Sequence, residues 1–160
     1  MKTYFKHIVL FLVFLIVSTP VFSKNIIVVS KQHLELYVVN ELKDTVFRAP
    51  CGLGKNLGDK RSFGDCKTPE GVFAISAILD SSQWKHDFND GAGLRDGAYG
   101  PYFLRLSTPG FTGIGIHGTC FPESIGTRCS EGCVRLKNDD LSDLIRYVNI
   151  GTEVIIEKDI

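Results

Sequence analysis

Between Ile116 and Arg135 the chain presents an imidazole, a thiol and a guanidinium, on His117, Cys133 and Arg135. A thiol attacks a carbonyl as thiolate, so a nucleophilic cysteine needs a group that takes its proton and surroundings that stabilise the charge. His117 is the candidate base. The loop Cys120–Cys129 lies between the two and can fold back to bring them within hydrogen-bonding reach. Gly132 directly precedes the thiol, where a glycine lets the backbone turn sharply and present amide N–H groups to a developing oxyanion. In an extended segment Arg135 falls on the face of Cys133, and a guanidinium there suits bidentate capture of a carboxylate. Ser130 is taken with Arg135 as a substrate contact. Glu131 is expected to face away from Cys133, as a solvated residue or a partner of Arg128, with a swing of the Gly132 turn that carries it into the pocket as the alternative.

Two other chemistries fit the residues poorly. His117, Cys120, Cys129 and Cys133 could be counted as zinc ligands, but their spacing matches no paired-arm pattern. Gly52-Leu53-Gly54 leads into polar loop rather than a helix, so it does not form a phosphate cradle. No metal and no cofactor are expected.

The elements that must hold these groups read as mostly β. Asn25–Ser30, Leu34–Val38 and Leu42–Ala49 are short alternating or β-branched runs joined by tight turns, which predicts an antiparallel meander. Residues 52–64 read as loop. Thr68-Pro69-Glu70-Gly71 is a turn feeding a strand over 72–79, and 102–107, 113–117 and 152–157 read as further strands. Asp139 and Asp140 open a helix in which Leu141, Leu144, Ile145 and Val148 recur at helical spacing, closed by Gly151. Residues 80–100 have no period, and a segment of that kind in a compact domain reads as a lid or substrate wall, with a surface excursion as the alternative. His86 within it, and His33, read as solvated loop histidines. Many strands and one main helix in the C-terminal half imply a mostly antiparallel β-sandwich or barrel.

The chain has 160 residues, enough for one domain with a real core. Residues 1–23 carry Lys2 and Lys6, an apolar run from Ile8 to Val17, and small residues up to Ser23, the pattern of a secretory signal peptide. The run of ten residues falls short of the ~20 that span a bilayer, so no membrane span is expected after cleavage. The remainder, 24–160, forms the expected domain. Without Lys2 and Lys6 it carries 16 basic and 18 acidic residues, a balance that does not suggest nucleic-acid binding. Export would oxidise paired thiols, and five cysteines leave one over. With Cys133 free, Cys51, Cys66, Cys120 and Cys129 could form two bridges; three pairings exist, of which the two short-range loops are the simplest, and in a reducing setting all five would be thiols.

His117-Gly118 followed by Ser130-x-Gly132-Cys133-Val134-Arg135 resembles the signature of the L,D-transpeptidase catalytic domain family (YkuD-like). Lys67-Thr68-Pro69-Glu70-Gly71-Val72-Phe73 resembles that family's Thr-Pro-x-Gly-x-Phe strand entry. The matched features run from about Asn25 to Glu157. One departure is visible, since many members have His where this chain has Glu131. The resemblance implies a β-sandwich fold and a monomeric, exported enzyme of the periplasm or cell envelope that acts on peptidoglycan stem peptides. It implies that Cys133 is the nucleophile, that His117 is the base, and that the Gly118 carbonyl orients the imidazole. Transfer to water would make the same site an L,D-carboxypeptidase, and an inactive wall-binding module is the reading from a different class.

Overall fold

The computed structural model describes residues 24–159. The expected signal peptide, 1–23, lies outside them. The meander forms from Ile26–Ser30 (β1), Glu35–Val39 (β2) and Thr45–Pro50 (β3), paired antiparallel in that order. Alternation explains it: Ile27 and Val29 of β1 and Leu36 and Val38 of β2 point to one face and are fully buried. A two-residue strand, Leu53–Gly54 (β4), follows, and then the long Gly71–Asp80 (β5). Residues 80–100, predicted to be irregular, contain a small hairpin of Lys85–Asp87 (β6) and Leu94–Asp96 (β7). Its strands are three residues each and mostly charged, which leaves no periodicity to read. Tyr102–Leu106 (β8), Gly115–His117 (β9), Arg128–Ser130 (β10) and Val134–Arg135 (β11) precede the helix. That helix, Asn138–Leu144 (α1), is shorter than its hydrophobic spacing predicts, because Ile145–Tyr147 tighten into a 3₁₀ turn and Val148 is extended. Glu153–Ile156 (β12) ends the set.

The main sheet runs β11-β9-β8-β5-β12-β1-β2-β3, with β4/β10 and β6/β7 as two-stranded ribbons among the described residues. Most pairs are antiparallel, but β12 inserts beside β1 in parallel and β11 lies parallel to β9. β5 serves both halves of the sheet. Residues Gly71–Ala74 pair with β12, Ile75–Asp80 pair with β8, and the register shifts between Ile75 and Ala77. An extra residue in one strand bends it and increases twist, and the sheet curls into a half-barrel. Leu141 and Leu144 of α1 join Ile27, Val29, Leu104, Ile116, Val134 and Val154 in one apolar cluster. Each such leucine contributes about 1.5–3 kcal/mol by burial.

One buried charge ties the chain's last residues to the loop beneath the site. Lys31 Nζ donates to the carbonyls of Gly58 (2.8 Å) and Thr68 (3.1 Å) and pairs with Glu70 (2.8 Å) and Asp159 (2.9 Å). Asp159 also pairs with Arg128 and accepts from Gly58 N–H at 2.6 Å. Burial would raise the Asp159 carboxyl, but Lys31, Gly58 N–H and Arg128 outweigh it and hold it below the ordinary carboxylate range. Its contribution to stability is therefore present at neutral pH and is lost as acid takes the pH through that lowered value. Lys31→Met removes the cation and leaves two half-buried carboxylates close together, with Arg128 still beside Asp159. It should lower the free energy of unfolding by about 3 kcal/mol in urea at pH 7, and a loss under ~1 kcal/mol would show the cluster to be dispensable.

Candidate active site

His117, at the end of β9, is buried at 2 % exposure. Its Nδ1 donates to the carbonyl of Gly118 at 2.6 Å, which leaves Nε2 as the ring's acceptor. The ring stacks on Phe103 at 5.5 Å and 14° and meets Tyr99 at 4.9 Å. Gly115 makes room for this, since a Cβ there would lie 2.5 Å from the Phe103 ring. Gly118 is equally constrained: a Cβ would fall 2.1 Å from Asn138 Oδ1 and 2.9 Å from the Gly100 Cα. Asn138 Oδ1 also accepts from Thr119 N–H at 2.9 Å, so the first residue of α1 fixes the backbone just after the imidazole.

β10 stops at Ser130 and β11 begins at Val134, so the intervening residues form a turn. Gly132 takes φ +137°, and a Cβ there would lie 2.9 Å from the Lys67 carbonyl. Ser130, expected to contact substrate, is instead fully buried. Its hydroxyl donates to the Cys133 carbonyl at 2.6 Å and accepts from Gly132 N–H at 3.1 Å, so it fastens the turn from within. Cys133 Sγ donates to the Gly113 carbonyl at 3.3 Å.

Cys133 and His117 open into one cavity of about 450 Å³ that Lys60, His86, Tyr99 and Arg135 also line. Arg135 pairs in register with His117, which brings its guanidinium alongside. It is 94 % buried, as its 6 % exposure states. Nη1 reaches the Cys129 carbonyl at 3.4 Å, Nε has no partner, and the guanidinium lies 5.2 Å from the Phe88 ring centroid. Among the described residues no carboxylate pairs with it. By contrast, Lys60 is matched by Asp65 at 2.8 Å.

Three sequence expectations are corrected here. Glu131 does not point away toward Arg128, which is engaged by Asp159. The turn at Gly132 brings it to the cavity, with Oε2 3.3 Å from His86 Nε2. His86 is likewise no solvated loop residue: it lines the cavity, bonds Tyr99 Oη through Nδ1 at 3.1 Å and packs on Phe88 at 4.6 Å. Residues 80–100 thus supply a wall of the site, as one of the two readings held. Neither short-range cysteine bridge is formed, and all five cysteines are thiols. Cys51 is in the core while Cys66 lines the cavity. Sequence reasoning missed Lys60, Tyr99, Phe103, Gly115 and Asn138, because each acts through a contact between distant segments. His33 is exposed, with Nδ1 3.1 Å from Ser30 Oγ, as expected of a loop histidine. No group of three or more candidate metal ligands is assembled among the described residues.

A thiol and an imidazole sharing a cavity with an uncompensated guanidinium form a site suited to thiol-based chemistry on a carboxylate-bearing substrate. The comparisons agree on the lineage: residues 24–156 match the L,D-transpeptidase catalytic domain of the YkuD family, and the chain belongs to that family. It is 28 % identical over 145 residues to YqjB of Bacillus subtilis, covering 89 % of this chain and 76 % of that protein. It is 31 % identical over 144 residues to YcfS of Escherichia coli, covering 81 % of this chain but 43 % of the relative. Among solved structures, Bd1075 of Bdellovibrio bacteriovorus superposes with TM-score 0.61 at 26 % identity, over 88 % of this chain and 50 % of that one. An L,D-transpeptidase from Mycobacterium smegmatis gives 0.60 at 21 %, over 84 % and 59 %.

The charge state follows from the surroundings. Burial pushes the Cys133 thiol up to about 11, against the opposing pull of Gly115 N–H, Arg135 and Lys60. Burial, and then Arg135, push His117 down to about 3 despite the bond to Gly118. Both shifts oppose a resting thiolate–imidazolium pair at pH 7. Alkylation of Cys133 by iodoacetamide should climb through pH 9 toward its midpoint near 11, and a plateau already reached below pH 7 would reveal a resting ion pair.

Proposed function

We propose that the chain is a peptidoglycan L,D-transpeptidase acting through an acyl-enzyme on Cys133, exported to the periplasm or cell envelope. The observation that carries this is the opening of Cys133 and His117 into the same cavity as the buried guanidinium of Arg135, whose Nε has no partner and with which no carboxylate among the described residues pairs. In this reading Arg135 receives a carboxylate of the donor stem and sets the scissile carbonyl over Cys133. A bidentate guanidinium–carboxylate pair gives both energy and direction in such a place.

With thiol and imidazole biased toward their neutral forms, the Cys133 proton moves to His117 Nε2 as Sγ attacks the carbonyl carbon. The Gly118 carbonyl holds the opposite N–H, so the imidazolium that forms is oriented and partly compensated. In this reading the amides of Gly132 and Cys133, at the positive-φ turn, serve the developing oxyanion, although Gly132 N–H already has Ser130 Oγ as acceptor. The Cys133 amide is thus the stronger candidate donor. Collapse of the tetrahedral intermediate passes the imidazolium proton to the departing D-alanine amine and leaves a thioester. An amine from a second stem then attacks, the new C–N bond replaces C–S, and His117 returns the proton to sulfur.

Purified disaccharide-tetrapeptides followed by mass spectrometry test this reading. Dimers with released D-alanine are the expected products, tripeptides alone would mean an L,D-carboxypeptidase, and unchanged substrate would favour a wall-binding module. Cys133→Ala should abolish product while leaving the thermal unfolding midpoint within a few degrees. His117→Ala should cost about 10²–10⁴ in kcat, the usual share of a general base. Retention of full activity in either variant would refute these roles.

A further inference from the structure

Two lysines are buried among the described residues, and their ammonium groups meet different surroundings. Lys31 Nζ has oxygens of Gly58, Thr68, Glu70 and Asp159 within reach, enough for all three of its protons. Lys60 has a side chain only 4 % exposed and, among the described residues, one hydrogen-bond acceptor, Asp65 Oδ1 at 2.8 Å. Its Nζ also lies over the Phe111 ring, 5.4 Å from the centroid. Two of its three N–H donors are therefore left without a protein oxygen, on a side chain that lines the cavity of Cys133. Asp65 does not depend on this cation. Its carboxylate accepts from the backbone N–H groups of Arg61 (2.7 Å), Ser62 (3.0 Å) and Lys67 (3.1 Å), so the loop holds the anion and the anion holds Lys60.

Lys60 and Arg135 stand at different ends of the site. Arg135 lies level with His117 across β11 and β9. A Cβ on Gly132 would lie 3.7 Å from Lys60 Nζ and 3.3 Å from Ile114 Cδ1, and Gly132 and Ile114 each come three residues before that level. Cys133 is between them, so the cavity carries a cation on either side of the sulfur.

We propose that Lys60 reads the acyl half of the donor: it receives a carboxylate on the side chain of the residue that becomes bonded to Cys133, and so selects stems with a diamino-dicarboxylic acid before D-alanine over stems with lysine there. The inference rests on the acyl-transfer reading above. In that reading His117 delivers a proton to the departing amine. The leaving residue then occupies the side of His117 and Arg135, and the side chain of the retained residue extends toward Gly132 and Lys60. A carboxylate arriving there fills the two idle donors of a desolvated ammonium, where a charge-assisted hydrogen bond is strong. A lysine side chain would bring ammonium against ammonium, and Asp65, which does not line the cavity, is already engaged.

Three tetrapeptide donors test this: one with diaminopimelic acid before D-alanine, the same peptide with its side-chain carboxylate converted to the amide, and one amidated instead at the terminal alanine. Release of the terminal residue, followed by mass spectrometry, gives kcat/KM for each. The wild-type protein should favour the free acid over the side-chain amide about tenfold, the size of one charge-assisted hydrogen bond. In Lys60→Met that ratio should fall toward one, while the ratio between terminal acid and terminal amide stays at its wild-type value. Lys60→Gln provides the same reading if Lys60→Met does not fold, and Lys60→Arg, which keeps the charge, should retain more of the preference. A purely structural lysine would lower all three rates together and leave both ratios unchanged. Equal turnover of free acid and side-chain amide by the wild-type protein, or an undiminished preference in the Met or Gln variant, overturns this proposal alone. Loss of the terminal ratio instead overturns it too, since Lys60 would then serve the leaving residue. Absence of release from every donor by the wild-type protein overturns it together with the acyl-transfer reading.

Discussion

The hydrogen bond from His117 Nδ1 to the Gly118 carbonyl is the constraint on which the site depends. In a buried imidazole the choice of which nitrogen carries the proton is made by whatever acceptor lies nearest, and here the backbone makes it. That carbonyl can turn back onto the ring only because the residue bearing it has no side chain: Asn138 Oδ1 and the Gly100 Cα occupy the space a Cβ would need. Three segments far apart in sequence, at Gly100, Gly118 and Asn138, are therefore locked together to orient one ring. Phe103, seated where Gly115 leaves room, supports the ring's face. The helix and the sheet thus matter to the site less through what they contribute to it than through the precision with which they close on this bond.

Electrostatics sets the second condition. Burial biases both the thiol and the imidazole toward their neutral forms, and the fixed positive charges nearby are Arg135, which lacks an ionic partner, and Lys60, which has Asp65. An anionic substrate group entering beside Arg135 is therefore worth more than the same group in water. Glu131 works against a thiolate, and its pairing with His86 at the mouth keeps that carboxylate engaged away from sulfur. Below the site, Lys31 gathers Glu70 of the β5 entry and Asp159 near the chain's end, and Asp159 in turn takes Arg128 of β10. The turn that carries Gly132 and Cys133 is thereby braced from beneath.

Much of this was legible in the sequence. Alternation and β-branched runs gave the meander, the turn Thr68-Pro69-Glu70-Gly71 gave the entry to β5, and the acidic start and leucine spacing gave α1 to within a turn. That His117 and Cys133 line one cavity was readable because the residues are of rare type and stand beside glycines. What was not readable depended on contacts between segments. The charged three-residue strands of the 80–100 hairpin have no pattern, so His86 looked solvated until β6 placed it against Tyr99. The direction of Glu131 was not readable, because a residue before a glycine turn ordinarily faces solvent, whereas here the φ of +137° at Gly132 brings it to the cavity. Ser130 was read from its motif as a substrate contact, and only the turn geometry assigns its hydroxyl to the Cys133 carbonyl and the Gly132 amide.

The central claim is that a carbonyl of the stem becomes bonded to Cys133 sulfur, and the intermediate itself tests it most directly. Wild-type protein mixed with excess tetrapeptide donor, quenched in acid within the first turnover and weighed intact, should gain the mass of the donor less D-alanine. Proteolysis should place that mass on the peptide containing Cys133, and hydroxylamine should remove it, as expected of a thioester. D-Alanine release with no covalent adduct, or with the adduct on any other residue, would contradict the account.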